Sequence, residues 1–367
     1  MTAPTVLFAG GGTGGHLYPG LAIARALRQL RPDVQPHFVG AERGIERDVL
    51  PTTEFPFTLL DLHPLYRPRV WQNWRTARGV MRSWGRLQRV GRSHAPALVV
   101  GTGGYASGLT LAWAAWRGIP VVQHMGDAIP GITARWSARF TREIYLGYPE
   151  ARRALPATRA LMLDTGNPID PPPDIRPDAT AARAQWGFPA AARVLLVFGG
   201  SQGARAINQA MAAWVSAGLP RDLCVIWATG KGQYDAYRSL DRPDVRVVPY
   251  LAPIATAYAA ADLALVRAGM MGSSELCAWG IPMVLVPLPT AAADHQTANA
   301  RVLEAAGAGV HLPQAQLSAT ALAETVTGLL SNAPRLAAMA RAAESRGKPQ
   351  AAAEIAARVA ALLATTG

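Results

Sequence analysis

The chain has 367 residues, of which 50% are hydrophobic, and its formal net charge is +12. This length predicts two domains, and the composition is that of a globular protein with a full core rather than a disordered chain. No apolar run reaches about 18 residues and the first residues carry no basic leader, so we expect neither a membrane-spanning helix nor a signal peptide. The two cysteines, Cys224 and Cys277, predict buried free thiols in a reducing compartment.

The positive charge is concentrated in one segment. From Leu62 to Gly126 there are nine Arg and no Asp or Glu. A positive net charge favours an anionic partner, which could be nucleic acid, a phosphorylated substrate or an anionic membrane. The segment predicts a local cationic surface rather than an even excess of charge.

Strands and helices alternate in the first half of the chain. Apolar runs predict strands at Thr5–Ala9, His37–Gly40, Leu98–Gly101 and Pro120–Gln123, with a helical run at Leu21–Leu30. This alternation predicts a parallel sheet with helices on both faces.

A glycine-rich loop follows the first strand and runs from Gly10 to Gly15, with His16 at the start of the next helix. Glycine permits a tight turn, and the free N–H groups at a helix start attract an anion. The spacing of Gly10, Gly12 and Gly15, with Glu42 after the second strand, also fits the fingerprint of an NAD site. A histidine at the helix start is less expected for a dinucleotide.

The stretch Leu65–Arg92 predicts an amphipathic helix, because apolar and basic residues each recur every three or four positions and no proline interrupts residues 69–95. The apolar set is Trp71, Trp74, Ala77, Met81, Trp84 and Leu87, and the basic set is Arg75, Arg78, Arg82, Arg86, Arg89 and Arg92. Tryptophan suits the headgroup level and arginine is attracted to anionic lipid, so we expect this helix to dock on a membrane, with Trp116 extending the patch. An ordinary crossover helix explains the same pattern, and the two explanations are compatible.

A proline-dense segment, Asp170–Asp174 with further prolines at 168 and 177, predicts a linker. After it the pattern restarts with a buried strand, Val194–Phe198, and a second glycine-rich loop at Gly199–Gly203. The two halves therefore predict two similar doubly wound domains with a cleft between them. Open sheets bind ligands outside the carboxyl ends of their strands, where these loops lie.

Two later segments place polar groups after apolar strands. The strand Leu263–Val266 leads into a small-residue turn, and Glu275 follows within the first turns of a helix. Its two oxygens would suit both hydroxyls of a ribose, although a solvated glutamate is common there. The run Asp294–Asn299 is dense in hydrogen-bonding groups, which suits a sugar or a capped helix start. The seven His are scattered and no Cys pair has ligand spacing, so we expect no metal site and no cofactor.

Four short motifs occur along the chain in a fixed order. They are Gly11–His16 with Pro19-Gly20, Gly103–Tyr105 with Ser107-Gly108, Gly199–Ala204, and Asp294–Gln296 with Asn299-Ala300. Any one motif is weak, but the ordered set is highly specific. The set resembles the MurG family, the bacterial N-acetylglucosaminyltransferases of peptidoglycan synthesis, and the resemblance extends from Val6 to about Gly309.

This resemblance implies an α/β fold of the GT-B type, in which two Rossmann-like doubly wound domains face each other across a cleft. We expect an acceptor- and membrane-facing domain at residues 1–166, a UDP-sugar domain at 167–345 and a C-terminal helix at 346–367 that returns to the first domain. The implied reaction moves N-acetylglucosamine from UDP-N-acetylglucosamine to the C4 hydroxyl of the muramoyl sugar of lipid I, undecaprenyl-pyrophosphoryl-MurNAc-peptide. It inverts the anomeric centre and forms lipid II.

The family also implies a peripheral location on the cytoplasmic face of the plasma membrane, with an anionic inner leaflet as partner. It implies no obligatory metal and no nucleic-acid partner, and it connects the chain to cell-wall biogenesis, cell shape and cell division.

Site residues carry over from the family by motif. The candidate catalytic residues are His16 and Asp127, which compete for the role of general base. The candidate substrate-binding residues are Thr13, Gly14, Gly15, His124, Asp127, Ser201, Gln202, Leu251, Arg267, Met270, Met271, Gly272, Glu275, Gln296 and Asn299. The candidate membrane residues are Trp71, Trp74, Arg75, Arg78, Arg82, Trp84, Arg86, Arg89 and Trp116.

Three positions depart from the family pattern. The family usually has His-Glu-Gln-Asn where this chain has His-Met-Gly-Asp at 124–127, Arg where it has Asp170, and Thr where it has Gly272. An aspartate near a diphosphate removes an attraction, which Arg205 or Arg267 could replace.

Three other functions remain open from the sequence. One is a glycosyltransferase for a different lipid acceptor, such as diacylglycerol. Another is an isomerase like the UDP-N-acetylglucosamine 2-epimerases, which gives no reason for the surface rich in Arg and Trp. The third is an NAD oxidoreductase, which explains only the first loop.

Overall fold

The computed structural model of the chain describes residues 3–62, 73–200 and 202–364, and the side chains of residues 73–77 are left out of the description. The chain forms two compact units, one comprising Met1–Ile169 with Gln350–Gly367 and the other comprising Asp170–Pro349. The sequence had suggested divisions after residues 166 and 345. In the structure, the chain passes from one unit to the other within the predicted proline-rich linker and directly before the last helix.

The first unit contains a parallel sheet of seven strands among the described residues, in the order β3-β2-β1-β4-β5-β6-β7. The strands are β1 (Thr5–Gly10), β2 (Gln35–Ala41), β3 (Phe57–Leu60), β4 (Leu98–Gly103), β5 (Val121–Met125), β6 (Glu143–Leu146) and β7 (Leu161–Leu163). All six residues of β1 are buried, as expected for a central strand covered on both faces. Because β1, β4 and β5 are parallel neighbours, the loops after them lie at one edge of the sheet.

Helices cover both faces of this sheet. They are α1 (Gly14–Leu30), α2 (Glu46–Val49), α3 (Asn73–His94), α4 (Tyr105–Trp116), α5 (Ile132–Ser137) and, from the end of the chain, α14 (Ala351–Ala364). The first helix begins seven residues before the apolar run that predicted it and includes Pro19. The predicted helix over 65–92 is described only from Asn73 onwards, where it continues to His94.

The C-terminal helix belongs to the core of the first unit. Ile355, Val359 and Leu362 pack in one cluster with strand and α1 residues, and the two helices pack against each other. Arg358 donates from Nε to Glu143 at 3.1 Å, and this carboxylate is only 4% exposed and also accepts from the Tyr145 hydroxyl. Burial and the neighbouring carboxylate raise the pKa of Tyr145, so the phenol stays neutral and acts as a donor.

The second unit contains a parallel sheet of six strands among the described residues, in the order β10-β9-β8-β11-β12-β13. The strands are β8 (Arg193–Phe198), β9 (Leu223–Ala228), β10 (Val245–Val248), β11 (Leu263–Val266), β12 (Met283–Leu285) and β13 (Gly309–His311). The helices are α6 (Ala179–Gln185), α7 (Arg205–Ala217), α8 (Tyr234–Tyr237), α9 (Ala255–Ala260), α10 (Met270–Trp279), α11 (His295–Ala305), α12 (Ala319–Leu330) and α13 (Ala333–Arg346). Both cysteines are free and buried, as predicted. The predicted α/β class and doubly wound topology are therefore confirmed for each unit.

Candidate active site

The first glycine-rich loop turns sharply between β1 and α1. Gly11 and Gly12 have φ values of +150° and +89°, and the +89° of Gly12 is a conformation that L side chains rarely adopt. The Gly12 amide donates to Oε2 of Glu46 at 2.9 Å, so the protein's own carboxylate binds this loop. Thr13 is exposed and Gly14 and Gly15 are half-buried, so the start of α1 remains accessible.

His16 is anchored to the neighbouring strand. Its Nδ1 lies 3.2 Å from the carbonyl oxygen of Thr102, and the Thr102 hydroxyl donates to the His16 carbonyl at 2.6 Å. A carbonyl oxygen can only accept, so Nδ1 carries the proton and Nε2 is the unprotonated nitrogen of the neutral ring. A general base requires this neutral form. The His16 residue is half-buried.

His124 and Asp127 lie at the same sheet edge, at the end of β5 and just after it. His124 is buried, and its pKa is lowered to about 4, mainly by burial and also by the nearby charge of His16. This shift favours the neutral form of His124 at physiological pH. Asp127 is half-buried in the following loop, consistent with its candidacy as an alternative base.

Glu42, the acidic residue that an NAD site would require, forms an ion pair within the protein. Glu42 pairs with Arg86, whose Nη1 also donates to the Leu59 carbonyl at 2.8 Å. Since Glu42 is held by this cation and Gly12 by Glu46, the two features that suggested a dinucleotide both have partners within the protein. The structure argues against the NAD interpretation.

In the second unit, the loop after β8 is formed by closely packed glycines. The Gly203 amide donates to the Gly200 carbonyl at 2.9 Å, and a Cβ at Gly203 would lie 2.0 Å from the Thr229 carbonyl oxygen. Gln202 is exposed at the tip of this loop, and Ser201 lies outside the described residues. The predicted donor contact Leu251 is 7% exposed and belongs to the buried part of the unit.

Glu275 is held by a tyrosine that the sequence did not point to. The Tyr258 hydroxyl donates to Oε2 of Glu275 at 2.6 Å. Burial raises the pKa of Glu275, the Tyr258 hydrogen bond lowers it and the charge of Asp170 raises it further. Asp170, which stands where the family has arginine, therefore affects the pKa of Glu275, the residue predicted to bind ribose. The Tyr258 hydroxyl holds one oxygen of Glu275 in place.

Gly272 stands where the family has threonine, and an aromatic ring occupies the space beside it. Gly272 lies in the first turn of α10, and a Cβ there would lie 3.2 Å from Cε2 of Phe198. Phe198 also meets Tyr258 edge to face, with ring centroids 6.3 Å apart. A threonine at position 272 would press on this ring, which is a physical reason for glycine there. On the same helix Met270 is buried and Met271 is half-buried.

Three predicted substrate contacts have hydrogen-bond partners within the second unit. Arg267 donates to the carbonyls of Val286 and Pro287 and, at 2.7 Å, to Gln314. Burial lowers the pKa of Arg267.

The other two are amides. Asn299 is wholly buried and donates to the Ala268 carbonyl, and the Gln296 oxygen accepts from the Leu288 amide at 2.9 Å. These side chains shape the loops at the end of the second sheet. Arg205, at the exposed start of α7, is then the better candidate to offset Asp170.

The buried and exposed faces of helix α3 differ from the apolar and basic faces that the sequence predicted. Leu87 is buried in the core with Val90, whereas Met81, assigned to the apolar face, is 70% exposed. Arg86, which the sequence assigned to the membrane surface, forms an ion pair with Glu42, and its role at a membrane stays a prediction. The helix therefore packs on the sheet as a crossover helix.

An outward surface of aromatic and basic residues nevertheless remains. Trp84 is half-buried and lies 5.5 Å from the ring of Trp116, which is 64% exposed. Arg78 and Arg89 are exposed, and Arg82 lies 3.8 Å from Asp61. Trp71 lies outside the described residues, and the side chains of Trp74 and Arg75 are not described.

The described parts of the chain contain neither a membrane-spanning helix nor a metal-binding cluster. Over residues 3–62, 73–200 and 202–364, no helix is long and apolar enough to cross a membrane. In the same residues, no three His, Cys, Asp or Glu side chains are grouped as a metal site would need.

The two parallel α/β units, each with a glycine-rich loop after its first strand, define a glycosyltransferase of the GT-B type. The glycosyltransferase family 28 N-terminal domain matches residues 6–146, and the family 28 C-terminal domain matches residues 194–357. The chain belongs to glycosyltransferase family 28 and is a hexosyltransferase.

Relatives and solved structures agree with this assignment. A Salinibacter ruber protein is 43% identical, covering 98% of this chain and 97% of that protein, and a Moorella thermoacetica protein is 39% identical, covering 94% and 95%. Both carry the name UDP-N-acetylglucosamine–N-acetylmuramyl-(pentapeptide) pyrophosphoryl-undecaprenol N-acetylglucosamine transferase. The crystal structure of MurG from Acinetobacter baumannii is 27% identical with a TM-score of 0.77, covering 98% of this chain and 99% of that one.

Proposed function

We propose that this chain transfers N-acetylglucosamine from UDP-N-acetylglucosamine to the C4 hydroxyl of the muramoyl sugar of lipid I, with inversion, and forms lipid II. The observation that carries this proposal is the 43% identity to the Salinibacter ruber transferase over nearly both full chains. The test is transfer of labelled N-acetylglucosamine to purified lipid I. Transfer to diacylglycerol instead, or isomerisation of the donor without transfer, would overturn it.

The donor is placed on the second unit. Glu275 accepts the ribose hydroxyls, and the loop of Gly200–Gly203 and the start of α10 face the diphosphate with backbone amides and helix dipoles. Exposed Arg205 at the start of α7 supplies a cation near the second loop. Developing charge on the leaving UDP is thereby stabilised, and we expect activity to persist in a metal chelator.

The acceptor hydroxyl is deprotonated in the first unit. His16 is the proposed base, because its bond to the Thr102 carbonyl orients the ring and leaves the other nitrogen as acceptor. Asp127 is the alternative base at the same sheet edge. General bases contribute about 10²–10⁴-fold to such steps.

The first unit docks on an anionic membrane and so reaches a lipid-linked acceptor at the inner face of the plasma membrane, without spanning it. Trp84, Trp116 and Met81 provide the apolar part of this surface, and Arg78 and Arg89 provide exposed charge. Each Arg near an anionic surface contributes about 1 kcal/mol, and this attraction falls with salt.

The membrane test compares two variants of equal charge loss by co-sedimentation with vesicles. Arg78→Ser with Arg89→Ser removes two arginines from the proposed surface, whereas Arg153→Ser with Arg159→Ser removes two exposed arginines elsewhere on the unit. We expect the first pair to weaken binding to anionic vesicles by about 2 kcal/mol and the second to have little effect. Equal losses, or binding that ignores lipid charge and salt, would leave α3 as a crossover helix only.

A further inference from the structure

The first glycine-rich loop has the features of a phosphate cradle, but a carboxylate from the protein already fills it. Oε2 of Glu46 accepts the Gly12 amide at 2.9 Å, and Oε1 accepts the Ala41 amide at 3.1 Å. One side chain thus joins the loop after β1 to the end of β2. The sequence predicted an anion at the helix start that follows this loop, and the structure places the carboxylate of Glu46 on the loop itself.

Three glycines from separate segments make room for this side chain. A Cβ at Gly11 would lie 1.8 Å from Oε1 of Glu46, one at Gly44 would lie 2.0 Å from Oε2, and one at Gly40 would lie 2.8 Å from its Cβ. The side chain is fully enclosed, since Glu46 is 0% exposed. A carboxylate that is buried this completely is costly unless it accepts hydrogen bonds, and the two amides meet that requirement.

The same loop continues directly into the proposed base. The Thr13 carbonyl accepts from the amide of His16 at 3.1 Å, and Gly11 donates to the Gly103 carbonyl at 3.3 Å. The loop is therefore fixed on one side by β4 and on the other by Glu46. Gly12 and His16 are four residues apart in this segment.

We propose that Glu46 is a positioning residue: it occupies the place at the Gly12 amide where the first loop could bind an anion, and it sets the position of His16. A second anion at the Gly12 amide would meet an enclosed carboxylate, and like charges at such a distance repel strongly. A second anion is therefore excluded from the Gly12 amide, and the exposed face of the loop, from Thr13 to Gly15, is the part left to contact substrate. This inference rests on the proposed role of His16.

The experiment uses Glu46→Gln in the full-length protein, with Asp48→Asn as the matched control. Glutamine keeps the volume and one acceptor oxygen but turns an NH₂ group toward one of the two amides, whereas Asp48 is an exposed carboxylate on the same short helix. Amide hydrogen exchange of the segment 10–17 reports the loop directly. Steady-state kinetics with lipid I and UDP-N-acetylglucosamine report its function.

We expect Glu46→Gln to speed exchange in the segment 10–17 and to lower kcat by about 10- to 100-fold, because small misplacements of catalytic groups have effects of that size. The donor KM should stay within about twofold, since the donor is placed on the other unit, and a loop that only supports the fold would not produce this split. The Asp48→Asn control should match the native protein in both measurements. Partial recovery of kcat by formate in Glu46→Ala would further support a binding site for one carboxylate group at this loop.

Two outcomes would overturn the inference. Unchanged exchange in folded Glu46→Gln would show that Glu46 does not hold the loop, and faster exchange with unchanged kcat would show that the loop does not position the base. If the native protein transfers nothing to lipid I, the proposed function fails instead, and the exchange measurement still decides whether Glu46 holds the loop.

Discussion

Replacement of Glu275 by glutamine should move donor affinity and stability in opposite directions. The carboxylate accepts from Tyr258 at 2.6 Å and is proposed to accept both ribose hydroxyls. A hydrogen bond to a charged acceptor contributes about 1.5–3 kcal/mol and one to a neutral acceptor about 0.5–1.5 kcal/mol. Two such bonds therefore predict a loss of about 2 kcal/mol, which is about 30-fold in affinity for UDP.

Stability should respond with the other sign. Burial raises the pKa of Glu275 in the folded protein above its unfolded value of about 4.3. Protonated Glu275 therefore favours the folded state. This contribution to the free energy of unfolding is fully present below the unfolded pKa and is lost as the pH rises through the folded pKa. At neutral pH the ionised group thus opposes folding. Glu275→Gln should be at least as stable as the native protein there, and its advantage should disappear as the pH falls to about 4.

Calorimetric titration with UDP and with 2′-deoxy-UDP separates a ribose contact from a general loss of charge. The native protein should bind the deoxy compound about tenfold or more weakly, and Glu275→Gln should discriminate much less between the two. Glu324→Gln, an exposed glutamate on α12, provides the control. Equal discrimination in native protein and variant would refute the ribose assignment, and a variant that is destabilised at neutral pH would refute the reasoning on burial.

Three further changes test other parts of the molecule. His16→Ala should lower kcat by about 10²–10⁴-fold with lipid I as acceptor, and if only Asp127→Asn has this effect, the role of base passes to Asp127. Arg358→Ala should raise amide exchange in α14 by about tenfold or more, because a buried carboxylate loses a charge-assisted partner, and unchanged exchange would contradict that role. Gly272→Thr should lower the free energy of unfolding and Phe198→Val should recover part of it, with a coupling of about 0.5–3 kcal/mol, whereas additive effects would show that the ring is not the obstacle.

Much of the sheet architecture could be predicted because parallel strands buried on both faces appear as unbroken apolar runs. The runs at Val194–Phe198 and Leu263–Val266 agree with β8 and β11 to within one residue. The start of α1 was placed at His16 by the glycine-rich loop before it and not by an apolar run, and the helix begins two residues earlier, at Gly14. Gly14, Gly15 and Pro19 are poor helix formers, so propensity gives no signal of this first turn.

Candidate site residues could be proposed only where the sequence places chemistry in one continuous motif. His16 lies in the first turn of the helix after β1, and Glu275 lies in the helix after β11. The loops at strand ends are where doubly wound sheets bind ligands. The partners of these loops lie far away in the sequence, as Glu46 is 34 residues from Gly12 and Tyr258 is 17 residues from Glu275. Local patterns carry no signal of such contacts.

Residue type alone did not indicate the partners of other predicted binding residues. Arg267 and Asn299 have the donors that a sugar nucleotide needs, and in the structure both donate to main-chain carbonyls just after strands. Their role in substrate binding stays a prediction. Strand ends leave unpaired carbonyl groups, which must be satisfied when they are buried. Whether a donor serves the backbone or a ligand is therefore decided by the tertiary structure.

The last helix has a consequence for the order in which the chain folds during synthesis. Residues such as Ile355 and Val359 complete the core of the first unit, yet the ribosome makes them after the whole of Asp170–Pro349. The second unit is thus inserted into the first, and its sequence is complete when the first still lacks part of its core. A nascent first unit therefore keeps an apolar face of α1 uncovered until translation is nearly finished, and a fragment ending at Ile169 would retain that exposed face permanently.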